Sequence, residues 1–253
     1  MPQNRQSDFM KRIQVLGCPM DAATMDETVA VISSRIMARQ FTQHVAVNVA
    51  KLVHMQTDAE LARSVRVCDM ISIDGMGVVW AGRLLGHAVP ERVAGVDLFE
   101  RLLAEAARLA LPVYLLGATD EVVARVAAIC ASRYPGLRIA GYHHGYFGID
   151  HEPVVELIRE SGARLLFVAI TSPTKENFIN RWKASLGVDF VMGVGGTFDV
   201  VAGKVARAPR WMQAAGLEWL FRVLQEPRRM WRRYLVTNSK FAWMLGKALI
   251  LQR

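Results

Sequence analysis

Apolar residues along the chain follow two rhythms. Short runs rich in Val, Ile, Leu and Phe recur as "HVAVNV", "DMISI", "PVYLLG", "LRIAGY", "RLLFVAI" and "VDFVMGVG", separated by stretches of different spacing. Brief apolar runs without strict alternation fit strands buried on both faces. Between them, residues 24–40, 49–66, 76–86, 96–110, 119–133, 152–161 and 173–185 carry apolar residues at helical spacing. The first of these stretches opens with Thr24 and has Glu27 three residues on, a capping box that satisfies backbone N–H groups at a helix start. One more short strand is expected around "RIQVLG". Strands alternating with helices in this way predict an α/β fold over residues 1–205, a mainly parallel, Rossmann-like sheet flanked by helices.

Beyond residue 205 the pattern changes. Residues 206–253 show no strand-like run, and Trp211, Trp219, Trp231 and Trp243 interleave with leucines and arginines at helical spacings. A basic, aromatic-rich helical appendage is expected there. Helices rich in Trp and Arg can lie in a membrane interface; the alternative is that the aromatic residues pack the tail onto the main domain.

Charge sharpens this division. The net charge of +8 is carried entirely by the tail, which from Arg207 onward holds ten basic residues against Glu218 and Glu226, while the rest of the chain is balanced. Such asymmetry points to a phosphate, nucleic acid or anionic membrane partner. At 52% hydrophobic residues the chain can bury a large core, yet it has no uncharged apolar run of the roughly 18 residues that a spanning helix needs. The polar start "MPQNRQSDFMKR" lacks the apolar centre of a secretory signal, so a cytoplasmic location is expected. Cys18, Cys68 and Cys130 have no metal-ligand spacing and are expected to be buried thiols. Adjacent His143 and His144, on an extended segment, should face opposite ways, so no metal is assigned to them.

Ligands of open α/β sheets bind outside the carboxyl ends of the strands, so the residues that follow each run are the candidate chemistry. They are Asn48, Asp74 with Gly75 and Gly77, Gly117 to Thr119, Gly145 to Phe147, "TSPTKE" with Lys175 and Glu176, and "GVGGTFD" with Gly196, Thr197 and Asp199. Asp74 is a candidate base facing the crevice, or else a cap of the next helix. Asn48 could bond a turn, Arg92 could pair with Glu91 at the surface, and Lys175 and Glu176 could be solvated at a helix start. No dinucleotide fingerprint or P-loop is present, and no Asp-x-Asp pair is available to hold a divalent cation.

The blocks "VNVAKLV", "DGMGVVWAGRLLG", "PERVAGVDLFERLL", "VYLLGAT", "GYF", "SPTKENFI", "GVGGTFDVVAGKVARAP" and "GLEWLFRVLQEPRRMWRRY" together resemble, in order, the WecG/TagA/CpsF glycosyltransferases. The resemblance implies an inverting transferase that moves a sugar from a UDP-sugar to a polyprenyl-diphosphate-linked saccharide at the inner face of the bacterial plasma membrane. It places the base on Asp74, with Asn48 and Arg92 assisting. The strand-end residues Gly117, Thr119, Tyr146, Lys175, Glu176, Gly196, Thr197 and Asp199 are then the expected nucleotide-sugar pocket, and the resemblance makes Arg222, Arg229 and Arg232 the expected diphosphate-stabilising residues. Two positions depart from the family pattern beside the expected sugar pocket: Ala46 where many members have Thr, and Lys175 where they have Gln.

Inverting transfer needs a base for the acceptor hydroxyl and positive charge for the departing diphosphate. Arginines can supply that charge without a metal, because their guanidinium forks bind phosphate oxygens bidentately. No cofactor is therefore expected. The rival readings are a nucleic-acid-binding protein that uses the basic aromatic tail, for which no nucleic-acid motif is present, and an NAD(P)-dependent enzyme, for which the fingerprint is missing.

Overall fold

The computed structural model describes residues 10–251. The polar N-terminal stretch from which a cytoplasmic location is expected falls largely outside them. Eight strands form one sheet in the order β1-β2-β4-β3-β8-β7-β5-β6. They are β1 (Lys11–Val15), β2 (Cys18–Ala22), β3 (Thr42–Val47), β4 (Met70–Ile73), β5 (Pro112–Gly117), β6 (Arg138–His143), β7 (Leu165–Ala169) and β8 (Phe190–Gly193). Every neighbouring pair is parallel except β1 with β2. The α/β class read from the sequence is therefore the observed one.

The first strand differs from expectation. "RIQVLG" belongs to a hairpin, in which Leu16 (φ 51°) and Gly17 (φ 78°) turn the chain directly into β2. Positive φ at both central residues matches the twist of a two-residue hairpin, although Leu is an unusual residue to accept it. The second arm carries Asp21, which is 6% exposed and pairs through both carboxylate oxygens with Arg12 across the hairpin. One of those oxygens also accepts from the backbone N–H of Ile71, at 2.7 Å, tying the hairpin to β4.

Helices cover both faces of the sheet. On one face α1 (Met25–Met37), α5 (Gly95–Arg108), α6 (Asp120–Arg133) and the short α9 (Thr197–Val201) bury Leu98, Phe99, Leu102, Val123 and Phe198 against Val113, Leu115, Leu165, Phe167 and Met192. On the other face α2 (Val49–His54), α3 (Ala59–Arg66) and α4 (Met76–Leu84) cover β1 to β4, while α7 (Glu152–Glu160) and α8 (Thr174–Trp182) cover β5, β7 and β8. Strand β7 shows the consequence of two-sided burial: Leu165 and Phe167 enter one core, Leu166 and Val168 the other. A run apolar at every position is what the sequence displayed. Cys18, Cys68 and Cys130 are buried free thiols, and burial pushes their pKa values up to about 12, 12 and 11.

After β8 the described chain is helical: α10 (Arg210–Ala214), α11 (Glu218–Gln225) and the long α12 (Pro227–Leu251). The apolar residues of α12 divide between a packed and an exposed set. Phe241 is buried, and Met244, Leu245, Ala248 and Leu249 pack with it on the core beneath α2 and α4. Trp231, Leu235, Val236, Trp243 and Ile250 remain exposed. At 100° per residue Leu235, Val236, Trp243 and Ile250 fall on the side away from Phe241 and Leu245, while Trp231 is exposed ahead of the packed stretch. None of the described helices is long and apolar enough to cross a membrane.

Gly117 ends β5 where the chain leaves the sheet. Its φ is 126°, and a Cβ there would lie 2.5 Å from the carbonyl of Ala169 on β7. Gly117→Ala is expected to destabilise the protein by about 2–4 kcal/mol through backbone strain and overpacking, read as a lower urea midpoint.

Candidate active site

The strand order brings the carboxyl ends of β4, β3, β8 and β7 side by side, and the connections after them supply the polar residues. Asp74 follows β4 directly, with its N–H bonded to Val47 O at 2.9 Å, so the backbone is still in register as it enters the crevice. It does not cap α4. Gly75, at φ 114° and ψ 131°, occupies the cap position without a side-chain hydrogen bond. That backbone conformation belongs to glycine alone, and it turns the chain while leaving the Asp74 carboxylate over the sheet. Gly95, the first residue of α5, closes on it, since a Cβ there would sit 3.7 Å from Asp74 Oδ2.

Asp74 is half-buried, and its pKa is raised. Withdrawal from water is the main cause and Glu218 adds to it, against the opposing pull of Arg92, Arg222 and Lys51. Arg92 pairs with Glu218 on α11 instead of with its neighbour Glu91, which accepts from the backbone N–H of Met25. Arg207 pairs with Asp97 on α5 at 2.7 Å. These two ion pairs fasten the start of the tail beside the crevice, and Glu218, Arg207 and Arg222 line a small cavity there with Val96 and Phe221.

Lys175 and Glu176 are not solvated. They are 7% and 4% exposed, and the Oε1 of Glu176 lies 3.1 Å from Lys175 Nζ and 2.8 Å from Nζ of Lys51. These are close ion pairs without well-aligned hydrogen bonds, because neither Glu176 oxygen meets a donor at a good angle among the described residues. Lys51 also donates to Ala46 O at 2.9 Å. Burial alone would push the Glu176 pKa up, but the two ammonium groups overcome it and hold it at about 2. Lys175 is driven down to about 8 by burial and by Lys51, against the help of Glu176.

The other expected site residues are placed unevenly. Asn48 is exposed and caps α2, accepting from Lys51 N at 3.0 Å, and its Cβ is 3.8 Å from where a Cβ on Gly75 would be. Thr119 caps α6, and Gly117 is fixed by the approach of β7. Tyr146 is 75% exposed on the loop after β6. Gly196 is open to solvent, whereas Thr197 is turned inward and its hydroxyl donates to Val194 O at 2.8 Å. The backbone carbonyl of Asp199 accepts from Lys204 and Val205, and its side chain is half-buried. Arg222 acts on Asp74; Arg232 stacks on Trp231, 5.5 Å from the ring centroid. Arg229 is on α12, but its side chain lies outside the described residues. Arg233, one position beyond Arg232, acts on Lys175.

Sequence reading missed Lys51 and Glu218, whose partners are far away in sequence. It also misjudged the two histidines. The chain turns after His143, and the rings lie 4.3 Å apart instead of on opposite faces. Among the described residues no group of three His, Cys, Asp or Glu side chains is placed to hold a metal.

A half-buried acid of raised pKa at a strand end, with Arg92, Arg222 and Lys51 acting on it, is an arrangement that can take a proton from a substrate beside an anionic group. The chain is a member of the Glycosyl transferase WecG/TagA/CpsF family, whose sequence model matches residues 13–253. It is 38% identical over 162 residues to the N-acetylglucosaminyldiphosphoundecaprenol N-acetyl-beta-D-mannosaminyltransferase of Bacillus subtilis (strain 168). That alignment covers 64% of this chain and 62% of the relative.

Glu176→Gln leaves two buried ammonium groups without a counter-ion and is expected to cost about 3–5 kcal/mol at pH 7. With a folded pKa of about 2 against about 4.3 unfolded, the stability from Glu176 is complete above the unfolded value. It is lost as pH falls toward the folded one, so the wild-type advantage in thermal melting should shrink over that window. Lys175 has the opposite sign. Its folded pKa lies below the unfolded value, so its charge is a burden at pH 7 that is relieved as pH rises beyond about 8. Lys175→Met is accordingly expected to be at least as stable as wild type at pH 7.

Proposed function

We propose that the protein is an inverting glycosyltransferase that moves a sugar from a UDP-sugar to a polyprenyl-diphosphate-linked saccharide, in the synthesis of an exopolysaccharide or other cell-surface polymer. The observation that carries this reading is Asp74, half-buried and raised in pKa beside Arg92 and Arg222. A raised pKa makes the ionised carboxylate a stronger acceptor for the proton of an attacking hydroxyl, while the arginines offset charge on the leaving diphosphate. Asn48 and Arg92 stand beside this base, and Arg222, Arg229 and Arg232 supply the positive charge that a divalent cation supplies in other transferases. The family membership and the name of the Bacillus subtilis relative, which acts on a diphosphoundecaprenol-linked sugar, support the reaction class.

In this reading residues 1–205 hold the chemistry, and residues 206–253 both complete the site and bind the cytoplasmic face of the membrane peripherally. The exposed Trp231 and Trp243, each stacked by a neighbouring cation, favour a membrane interface over nucleic acid as the tail's partner.

Asp74→Asn is expected to lower turnover about 10²–10⁴-fold with UDP affinity nearly unchanged. The check is transfer to a short water-soluble diphosphate-linked acceptor together with UDP titration, and wild-type turnover would remove Asp74 from the mechanism. The wild-type rate should rise with pH through the elevated Asp74 pKa. Arg222→Ala should slow transfer to the same soluble acceptor while vesicle binding stays near wild type. The double change Trp231→Ala, Trp243→Ala should weaken sedimentation with anionic vesicles and spare soluble transfer. Full activity in excess EDTA is expected.

A further inference from the structure

The ion group beneath the glycine loop contains more positive charge than it neutralises. Lys51 and Lys175 converge on the same oxygen of Glu176, and all three side chains are at least nine-tenths withdrawn from water. One carboxylate balances one ammonium, so a unit of positive charge is left over at the carboxyl ends of β3, β7 and β8, with Arg233 of α12 close enough to act on Lys175. Lys51 donates an N–H to Ala46 O, whereas Lys175 Nζ, paired with Glu176, makes no aligned hydrogen bond among the described residues. Its N–H donors are therefore available. Buried charge without full compensation is costly, and proteins keep it where a ligand completes it.

The surroundings of Lys175 show where such a ligand would sit. Its aliphatic stem runs across Gly193, where a Cβ would come 2.9 Å from both Cδ and Cε. Its ammonium reaches the turn that follows, 4.0 Å from where a Cβ on Gly195 would be. A Cβ on Gly196 would meet nothing within 4 Å, so the space over this turn is open. The N–H groups of Gly195 and Gly196 donate to no acceptor among the described residues. A buried ammonium with spare donors and two free backbone N–H groups thus border one accessible space. Each of these groups favours an anionic oxygen.

We propose that Lys175, backed by Lys51 and bordered by the Gly195–Gly196 turn, is a subsite for an anionic oxygen group of the donor, either the nucleotide diphosphate or a carboxylate on the transferred sugar. This rests on the nucleotide-sugar reading of the crevice. It makes the departure from Gln at this position a determinant of donor charge.

Equilibrium titration of wild type, Lys175→Met and Lys175→Gln with uridine, UDP, UDP-glucose and UDP-glucuronic acid tests it, with thermal melting to confirm that each variant is folded. The expected result is about 10- to 100-fold weaker binding, in both variants, of the ligands that carry the recognised anionic group, the loss of a charge-assisted contact, with uridine unaffected. An equal loss for all three UDP compounds assigns the subsite to the diphosphate, and a loss confined to UDP-glucuronic acid assigns it to a carboxylate. Folded variants that bind all three as wild type does overturn the subsite and leave the nucleotide-sugar reading standing. A wild-type protein that binds none of the four ligands overturns both.

Discussion

Charge drawn out of water at one end of the sheet is the constraint that orders this site. Asp74, Lys51, Lys175 and Glu176 all follow strands whose carboxyl ends adjoin, and each loses hydration on folding. The lysines and Glu176 offset one another in part. Among the described residues Asp74 has no such ion-pair partner. Arg92, the cation that acts most strongly to hold it ionised, is paired with Glu218, whose opposite effect offsets part of that pull. Burial then decides, and the Asp74 proton is held more tightly than in water. A basic carboxylate thus coexists with nearby arginines because one of them is already partly offset.

The tail is therefore part of the electrostatics as well as a cover. Glu218 and Arg222 are four residues apart on α11, which puts them on the same face of that helix, and both act on Asp74 with opposite sign. Helix α12 continues from there and uses one side for Phe241 and Leu245 against the core, leaving Trp231, Trp243 and Ile250 outward. Docking of α12 fixes α11, and α11 sets the charge around Asp74. In the proposed reaction, anything that moves α12 at a membrane would also act on the base.

Much of the fold was legible because burial on both faces leaves a simple mark. The run "LLFVA" of β7 could be read without knowing its neighbours, and so could the Thr24 capping box, which forms as expected. The strand-end rule likewise pointed to Asp74, Lys175 and the glycine loop, which the fold brings to one end of the sheet. What escaped depends on distant pairs. Lys51 looked like any surface lysine on a short helix until Glu176 reached it, and Glu218 gains meaning only from Arg92 across the crevice. The β2 arm was hidden because Leu16 gives no turn signal and Pro19 argues against a strand. The structure tolerates Pro19 where β2 meets only β1 and, through Asp21, β4.

Lys175 and Gly193 illustrate how such a distant pair is nevertheless written into the chain. Lysine can be buried at the end of β7 only if its stem has a surface to lie on and its charge has a partner. Glu176, the next residue, supplies the partner, and Gly193, at the end of β8, supplies the surface by having no side chain. A methyl group at 193 would stand 2.9 Å from the stem and force the ammonium to move. The glycine is thus required less by its own backbone, which is ordinary strand, than by a lysine in the first turn of α8. In the sequence "GVGG" is one more strand-end candidate, whereas in the structure its first glycine makes room for the charge and the following two leave the space above it open.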